Sequence, residues 1–548
     1  MGSVHTSEIL AVITATEWVT TPGDVVLYMA IYGGMYEDAV NPSGPDIHYD
    51  GRIKADIILD KKIGVSFWNE NSAIDFGYLD IAVNDQDSAL IDYSINVHTA
   101  NVDIYRIHRD DGSLELIGSA RSSDIGFTDE NTIRFRLDST LQGAFDAPIN
   151  TLFYDDTYPH LEGKPYPIAW GSILDVEQLL PTVFVDDVYL LYHVTDVEIE
   201  SFASDVYDRG VALTESAEFV PSADLHGFTL NQNPDGIITC GQITLVDPED
   251  TANNLGGLFS MVRMVATRAG IWGNVHEADL TTLELEIGMG GAYPQYFTQR
   301  VVSLGTYLDD IFAGTAGWYY VDEFSEIHFG RLTDPDAATP TLAFTDANVI
   351  GHIKVEDDKA PGLSTRLSYG ENPGVYGQDE LAGYVSSADR LAMTNEAYTV
   401  ETAGPVLSFF DKAASREPIK LALSYGTSIA VPGPWSADTT DVTADSTVAK
   451  ADGYNVGSTV NKTSTEVAQI EVDRWFTDLY QKHRHFYSYD IMINDPLFDS
   501  ISMPLAHLGE VCTLQSDRFD LLATAKNLLI RRTRYNYFSG LLTIEGWG

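Results

Sequence analysis

Apolar and polar residues alternate at period two near both ends of the chain, and this pattern restricts the fold more than any other feature. "EILAVITATEWV" and "DVVLYMAIYGG" are separated by the turn signal "TTPGD", so they read as successive strands. "NPSGPDIHYDGRI" reads as a loop, and "ADIILD" resumes the sheet. "FGYLDIAVNDQDSALIDYSI" places a strand before the polar cluster Asn84-Asp85-Gln86-Asp87. "NVDIYRIHRDDGSLELIGSARSSDIGF" predicts a hairpin turning at Asp111-Gly112, with Val102, Ile104 and Ile107 on its first flank. Near the other end, "VCTLQ", "NLLIRRTRYNY" and "LLTIEGW" predict a meander.

The period changes in the middle. In "NNLGGLFSMVRMVATRAGI", Leu258, Met261, Val262, Val265 and Ala269 recur at spacings of three and four, the mark of a helix with one apolar face. "SLGTYLDDIFAGTAGWYYVDEFSEIHFGRL" predicts a helix with Leu304, Tyr307, Leu308, Ile311 and Phe312 on one stripe, then a hairpin turning near Phe324-Ser325. Residues 436–465 carry few large apolar side chains, which predicts an exposed arm ordered only against a neighbouring chain. A further helix is expected from about Glu466 to Arg484, with Val472, Trp475, Phe476, Leu479 and Tyr480 on its apolar face.

A chain of 548 residues exceeds what one hydrophobic core fills, so three or four domains are expected. Its 81 acids against 32 Lys plus Arg argue against gripping a nucleic-acid backbone, which needs concentrated positive charge. Such acidity repels polyanions and is also common in saline settings. Cys240 and Cys512 lack metal or redox spacing and read as buried free thiols. No apolar run reaches the roughly 18 residues of a membrane span, and "SEILAVITATEW" lacks a basic leader region. "MGSVHT" fits the loose Met-Gly-x-x-x-Thr acylation pattern, which recurs by chance.

The residues offer little catalytic chemistry. His483-Arg484-His485 is the densest histidine cluster, but it has no third ligand at metal spacing and reads as an aromatic-rich helix end. Asp85/Asp87 and Asn233/Asp235 lack the ligand series of a calcium loop. Gly288–Gly291 lacks the Lys-Ser/Thr of a phosphate loop and reads as a turn. No nucleophile elbow occurs, so no catalytic, cofactor or metal residue is assigned, and a non-enzymatic role is expected.

A series of stretches begins with "FGYLDIAVNDQDSALID" and "RFRLDSTLQGAFDAPINTLFYDD". "LEGKPYPIAWGSILDVEQLLPTV" follows, with its Leu-x-Gly-Lys-Pro-x-Pro before an aromatic-Gly. "YHVTDVEIESFASDVYDRGVALT" brings Tyr207-Asp208-x-Gly210. "LDDIFAGTAGWYYVDEFSEIHFGRLTDPD", the Arg-centred "SSADRLAMTNEAYTV" and "LAHLGEVCTLQSDRFDL" complete the series. Taken in order, these stretches resemble the baseplate or tail hub proteins of long-tailed bacteriophages and related gene-transfer particles, with "SSADRLAMTNEAYTV" as the family's connector. Asp87-Ser88 stands where the family usually has Asp-Gly, and the 436–465 arm has no counterpart.

The resemblance implies a mainly β, multidomain protein with two barrel-like tube domains and a peripheral α+β domain. The expected division is an N-terminal β region at 1–74, a first tube domain at 75–225 and an α+β insertion at 226–345. The second tube domain would begin with a connector at 346–435, carry the 436–465 arm and finish at 466–548. Function would be structural: a homotrimeric hub at the virion tail tip, adapting a hexameric tube to a threefold tip. Its partners would be tail-tube or distal tail proteins, the tape-measure protein and central fibre or tip proteins. DNA would pass only in transit, with no stable membrane insertion and no cofactor. Arg531, Arg532 and Arg534 are the interface candidates, because a nearly neutral strand in so acidic a chain should find carboxylates, within the subunit or across a ring contact. The alternative is a glycan-binding or glycan-degrading tail protein, with Trp318, Tyr319, Tyr320, Trp435, Tyr487 and Tyr489 as stacking candidates.

Overall fold

The computed structural model describes residues 9–17, 24–31, 33–36, 38–41, 43–54, 57–65, 73–75, 77–82, 95–107, 114–129, 132–171, 179–202, 206–241, 243–250, 255, 257–288, 295–313, 317–357, 364–369, 372–396, 398–403, 419–422, 479, 484–492, 506–536 and 539–548. The chain is mainly β, with few helices, and divides into two compact units. The first comprises Met1–Gly143, Trp318–Asp358 and Arg484–Gly548, and the second Ala144–Gly317 and Lys359–His483. No described helix is long and apolar enough to cross a membrane, which says nothing about strands.

Among the described residues, the N-terminal part of the first unit contains ten strands: β1 Ile9–Glu17, β2 Asp24–Ala30, β3 Gly34–Tyr36, β4 Ile47–Gly51, β5 Ile58–Lys62, β6 Ala73–Asp75, β7 Tyr78–Ala82, β8 Ile95–Ile107, β9 Leu114–Asp129 and β10 Thr132–Ser139. Eight form one sheet in the order β3-β4-β2-β1-β8-β9-β10-β7. The expected hairpin is present: Ile107 pairs with Leu114, while the Asp111-Gly112 turn lies outside the described residues. Strand β10 shows why alternation specifies a half-buried strand. Ile133, Phe135 and Leu137 are buried, whereas Arg134 faces outward and grips Asp80 of β7 through two bonds of 2.7 Å. In β1, by contrast, Leu10 to Ile13 are all buried, so both faces are covered.

The unit's remaining strands are β11 Gly317–Val321, β12 Ile327–Arg331, β13 Leu342–Phe344, β14 Val349–Asp357, β15 His485–Met492, β16 Val511–Leu514, β17 Lys526–Asn536 and β18 Leu541–Trp547. They build a second large sheet, ordered β13-β16-β17-β18-β15-β14, to which β5 adds by pairing with the far half of β17. The expected meander is β16-β17-β18. Strands β11 and β12 form the expected hairpin, with Ser325 in the left-handed region at its turn. The Trp318 ring lies so close to Gly330 that any Cβ there would collide with it.

The second unit holds small sheets and most of the helices. Helices α1 Leu258–Arg268, α2 Glu277–Gly288, α3 Leu304–Ala313 and α4 Ser387–Met393 belong to it. The predicted stripes of α1 and α3 face inward: Leu258, Met261, Val262 and Val265, and Leu304, Tyr307, Leu308, Ile311 and Phe312, are all buried. Ala269 caps α1 rather than extending its face. Trp170, fully buried on strand Ile168–Gly171, donates its indole N–H to Asp196 at 2.7 Å. Arg268, at the end of α1, reaches the other oxygen of Asp196 at 2.6 Å and lies over the Trp170 ring. The aromatic-Gly position of the resemblance is therefore a polar anchor inside a core.

The units divide the chain differently from the segments expected. A boundary at 74/75 is crossed by the antiparallel ladder between β1 and β8, which ties 9–17 and 95–107 into one sheet. The 226–345 insertion is also not one body: its helices lie in the second unit and its closing hairpin in the first. Periodicity identifies elements but carries no information about which sheet they join. The 436–465 arm, Asn84–Asp87 with Ser88, and the helix expected at 466–484, except Leu479 and Arg484, lie outside the described residues.

Candidate functional site

The three candidate arginines lie on β17 where its register changes. Ile530 pairs with Gly546, but the next register pair is Arg532 with Glu545, so Arg531 is the extra residue of a bulge. The bulge also marks the handover from β16 to β5 on the strand's other edge, where the Arg531 carbonyl accepts from Ile63 N–H at 2.9 Å. Two consecutive arginines consequently face a single glutamate.

They use it unequally. Arg531 is buried, donates Nε to Glu545 Oε1 at 2.8 Å, makes a second bond to the same oxygen, and stacks over Phe486 at 4.1 Å. Arg532 clamps Asp60 through bonds of 2.8 and 2.6 Å and stands 3.9 Å from Glu545. Arg534 is exposed, and among the described residues no ion pair engages it. Arg531 and Arg532 thus find their carboxylates within the subunit, because the bulge aims one inward and β5 supplies Asp60 to the other. Of the three interface candidates, Arg534 is exposed and Arg532 keeps a side chain 42% exposed beside Asp60, whereas Arg531 is buried.

In the second unit, two stretches of the resemblance meet. Tyr207 packs in a buried cluster with Leu179, Tyr376, Leu381 and Met393, the last from connector helix α4. Gly210, two residues past the strand Val206–Asp208, has φ +78°, and a Cβ there would strike Leu381 and Met393. The Asp208 carboxylate accepts from the amides of Asp235 and Gly236 at 2.6 and 2.9 Å. That fixes the exposed turn bearing Asn233 and Asp235. Arg390, the centre of the connector motif, donates to the carbonyls of Gln378 and Ala382 at 2.9 and 2.7 Å. Each of these residues holds a fold position.

The other candidates resolve as follows. Cys240 and Cys512 are free and buried; burial, the largest influence, leaves the Cys512 thiol at about 12, with Tyr489 hydroxyl 3.4 Å away. His483 and residues 289–291 of the glycine turn lie outside the described residues, while Gly288 ends α2. Arg484 is buried, donates to Asp334 at 2.7 Å and lies over Trp547. Trp318, Tyr320, Tyr487 and Tyr489 are buried and offer no sugar platform, Tyr319 is not among the exposed aromatics, and Trp435 is outside the described residues.

Sequence reasoning missed one polar chain, buried at Tyr154, His193 and Ser222 and open to solvent at Asp224, because Tyr154, His193 and the Ser222–Asp224 stretch are far apart in sequence and carry no spacing motif. His193 sits 2.8 Å from Asp224 through Nε2 and 3.2 Å from Tyr154 hydroxyl through Nδ1, and Ser222 Oγ donates to Asp224 at 2.5 Å. Burial alone would raise the Asp224 pKa, yet hydrogen bonds from His193, Ser222 and the His226 amide hold it well below the usual carboxylate range. Burial drives the Tyr154 phenol far above its ordinary value. Ser222 bonds the aspartate and not the imidazole, so the group lacks the serine-to-histidine bond of a hydrolytic triad.

No protein-family model matches the chain, and no curated protein matches it. Among solved structures, it is similar to the prophage MuSo2 43 kDa tail protein from Shewanella oneidensis, at 10% identity and TM-score 0.36, covering 99% of this chain and 98% of that one. A second is the prophage tail protein gp18 from Listeria monocytogenes EGD-e, at 8% identity and TM-score 0.32, covering 98% and 94%. A native gene transfer agent virion chain gives 11% identity and TM-score 0.17 over 44% of this chain and 81% of that one.

Proposed function

We propose that this chain is a structural tail protein of a phage or gene-transfer particle, acting as a baseplate hub at the tail tip. In this reading three copies form a ring that adapts a hexameric tube to a threefold tip. DNA and the tape-measure protein pass through its bore, and tube and tip proteins bind its two ends. The observation that carries the reading is the meeting of two resemblance motifs, Tyr207-Asp208-x-Gly210 and the Arg390 connector, in one buried cluster of a mainly β chain. Motif residues that hold fold positions support a shared architecture, whereas chance matches would scatter over the surface.

The burial of Trp318, Tyr320, Tyr487 and Tyr489 takes four of the six stacking candidates away from the glycan-binding alternative. Acidity suits a bore that DNA slides through, by like-charge repulsion. Arg534, exposed on a chain of net charge −49, is the cation this reading places at a subunit or tube contact. The test is an averaged map of purified particles with this chain labelled, paired with the Arg534→Gln variant. Three copies around the tail-tip axis, and fewer assembled tails from the variant despite a normally folded subunit, are the expected results. A sixfold or twelvefold ring, or absence from the particle, would overturn the reading.

A further inference from the structure

The β11–β12 hairpin brings together three side chains of metal-ligating type that the assembly reading does not use. Asp322 follows β11 and opens the turn, Glu326 precedes β12, and His328 lies within it. One donor atom from each lies within 4.8 Å of the others. His328 Nε2 stands 3.6 Å from Asp322 Oδ2 and 3.9 Å from Glu326 Oε2. Both gaps exceed hydrogen-bond length. They come close to the separation of about 3.4 Å between neighbouring donors on a tetrahedral Zn²⁺ with bonds near 2.1 Å.

Local structure pre-orients two of the three. Asp322 commits Oδ1 to the turn, accepting from the Phe324 and Glu326 amides at 2.9 and 2.7 Å, which leaves Oδ2 turned toward the imidazole. The His328 ring stacks on Tyr320 at 5.1 Å and 20°, fixing its plane. Glu326 is the adjustable donor, with its side chain 43% exposed. Lys61, a buried cation, is held by Glu323 at 2.5 Å, so its ammonium already has a partner.

We infer that Asp322, Glu326 and His328 form a site for a first-row divalent metal of the Zn²⁺ class, with water completing the shell. One imidazole with two carboxylates selects such a metal over Ca²⁺, which prefers six to eight oxygens. The ion clips the turn to the second strand of the hairpin, and its role is structural.

The probe is Zn²⁺, titrated calorimetrically into the chelator-stripped full chain with excess Ca²⁺ present to occupy the many surface carboxylates. One saturable site is expected, together with slower amide exchange across 317–331 on Zn²⁺ addition. His328→Gln and Glu326→Gln should each weaken binding by at least about tenfold. Glu326→Gln changes a half-exposed residue, so it keeps the test independent of folding. Zn²⁺ uptake that is unsaturable under Ca²⁺, or a saturable site that either substitution leaves unchanged, would overturn the inference.

Discussion

Replacing Glu323 by Gln should destabilise the first unit severely, and the structure provides the scale. Lys61 Nζ and Glu323 Oε2 are 2.5 Å apart, and both side chains are 2% exposed. At an effective dielectric constant of about 20, their attraction is about 7 kcal/mol, which the desolvation of two ions, several kcal/mol each, largely offsets. The pair is therefore nearly neutral against an apolar replacement, but either ion alone keeps its desolvation cost without the attraction. A loss of about 3–5 kcal/mol is expected for Glu323→Gln or Lys61→Met, and little net loss for the double variant Lys61→Met/Glu323→Leu. Native-state hydrogen exchange suits a chain with two units, because global unfolding need not be two-state. The Ser119 amide, which donates to the Glu323 carbonyl at 2.8 Å, reports on the site. Its protection should fall by about two to four orders of magnitude in either single variant and recover in the double. Single variants that lose under about 1 kcal/mol, or a strictly additive double variant, would refute the reasoning.

Gly210→Ala should cost about 1–3 kcal/mol, measured by urea denaturation, since it combines φ +78° with a collision against Leu381 and Met393; an unchanged midpoint would contradict that packing. Asp224 should make stability fall in acid. Its folded-state pKa lies below the unfolded value of about 3.9, so its contribution is present above that pH and is lost as pH drops through the folded value. Asp224→Asn should flatten the acid limb of a pH-dependent melt relative to the parent chain. Cys240 and Cys512 should resist a thiol-reactive dye in the native protein and react only on unfolding, because both are buried and the Cys512 thiol is held at about 12; rapid native labelling would contradict their placement.

Although β4 Ile47–Gly51 falls in a stretch read as a loop, period-two and period-3.6 patterns in the sequence determined strands at both ends, the β8–β9 and β11–β12 hairpins, the closing meander and the inward faces of α1 and α3. These are local properties: side-chain direction follows from backbone geometry, and burial of the apolar face follows from that. Helices α2 and α4 were not recognised; the described part of α2 buries only Leu280 and Leu283, and α4 spans just Ser387–Met393, too short to show a period. Tertiary structure alone decided the partners. Lys61 and Lys62 are identical neighbours in sequence, yet Lys61 falls on the inward side of β5 opposite Glu323, while Lys62 is only partly buried. Arg531, Arg532 and Arg534 look alike in the sequence, but a one-residue bulge buries the first against Glu545, an added strand brings Asp60 to the second, and the third stays exposed. Asp322, Glu326 and His328 carry no spacing signal, because a turn, not a period, brings their donor atoms together. Charge in a sequence is a property of the residue; what it pairs with depends on turns, bulges and strand pairings, which for Arg532 and Asp60 join segments hundreds of positions apart, and no local pattern encodes those.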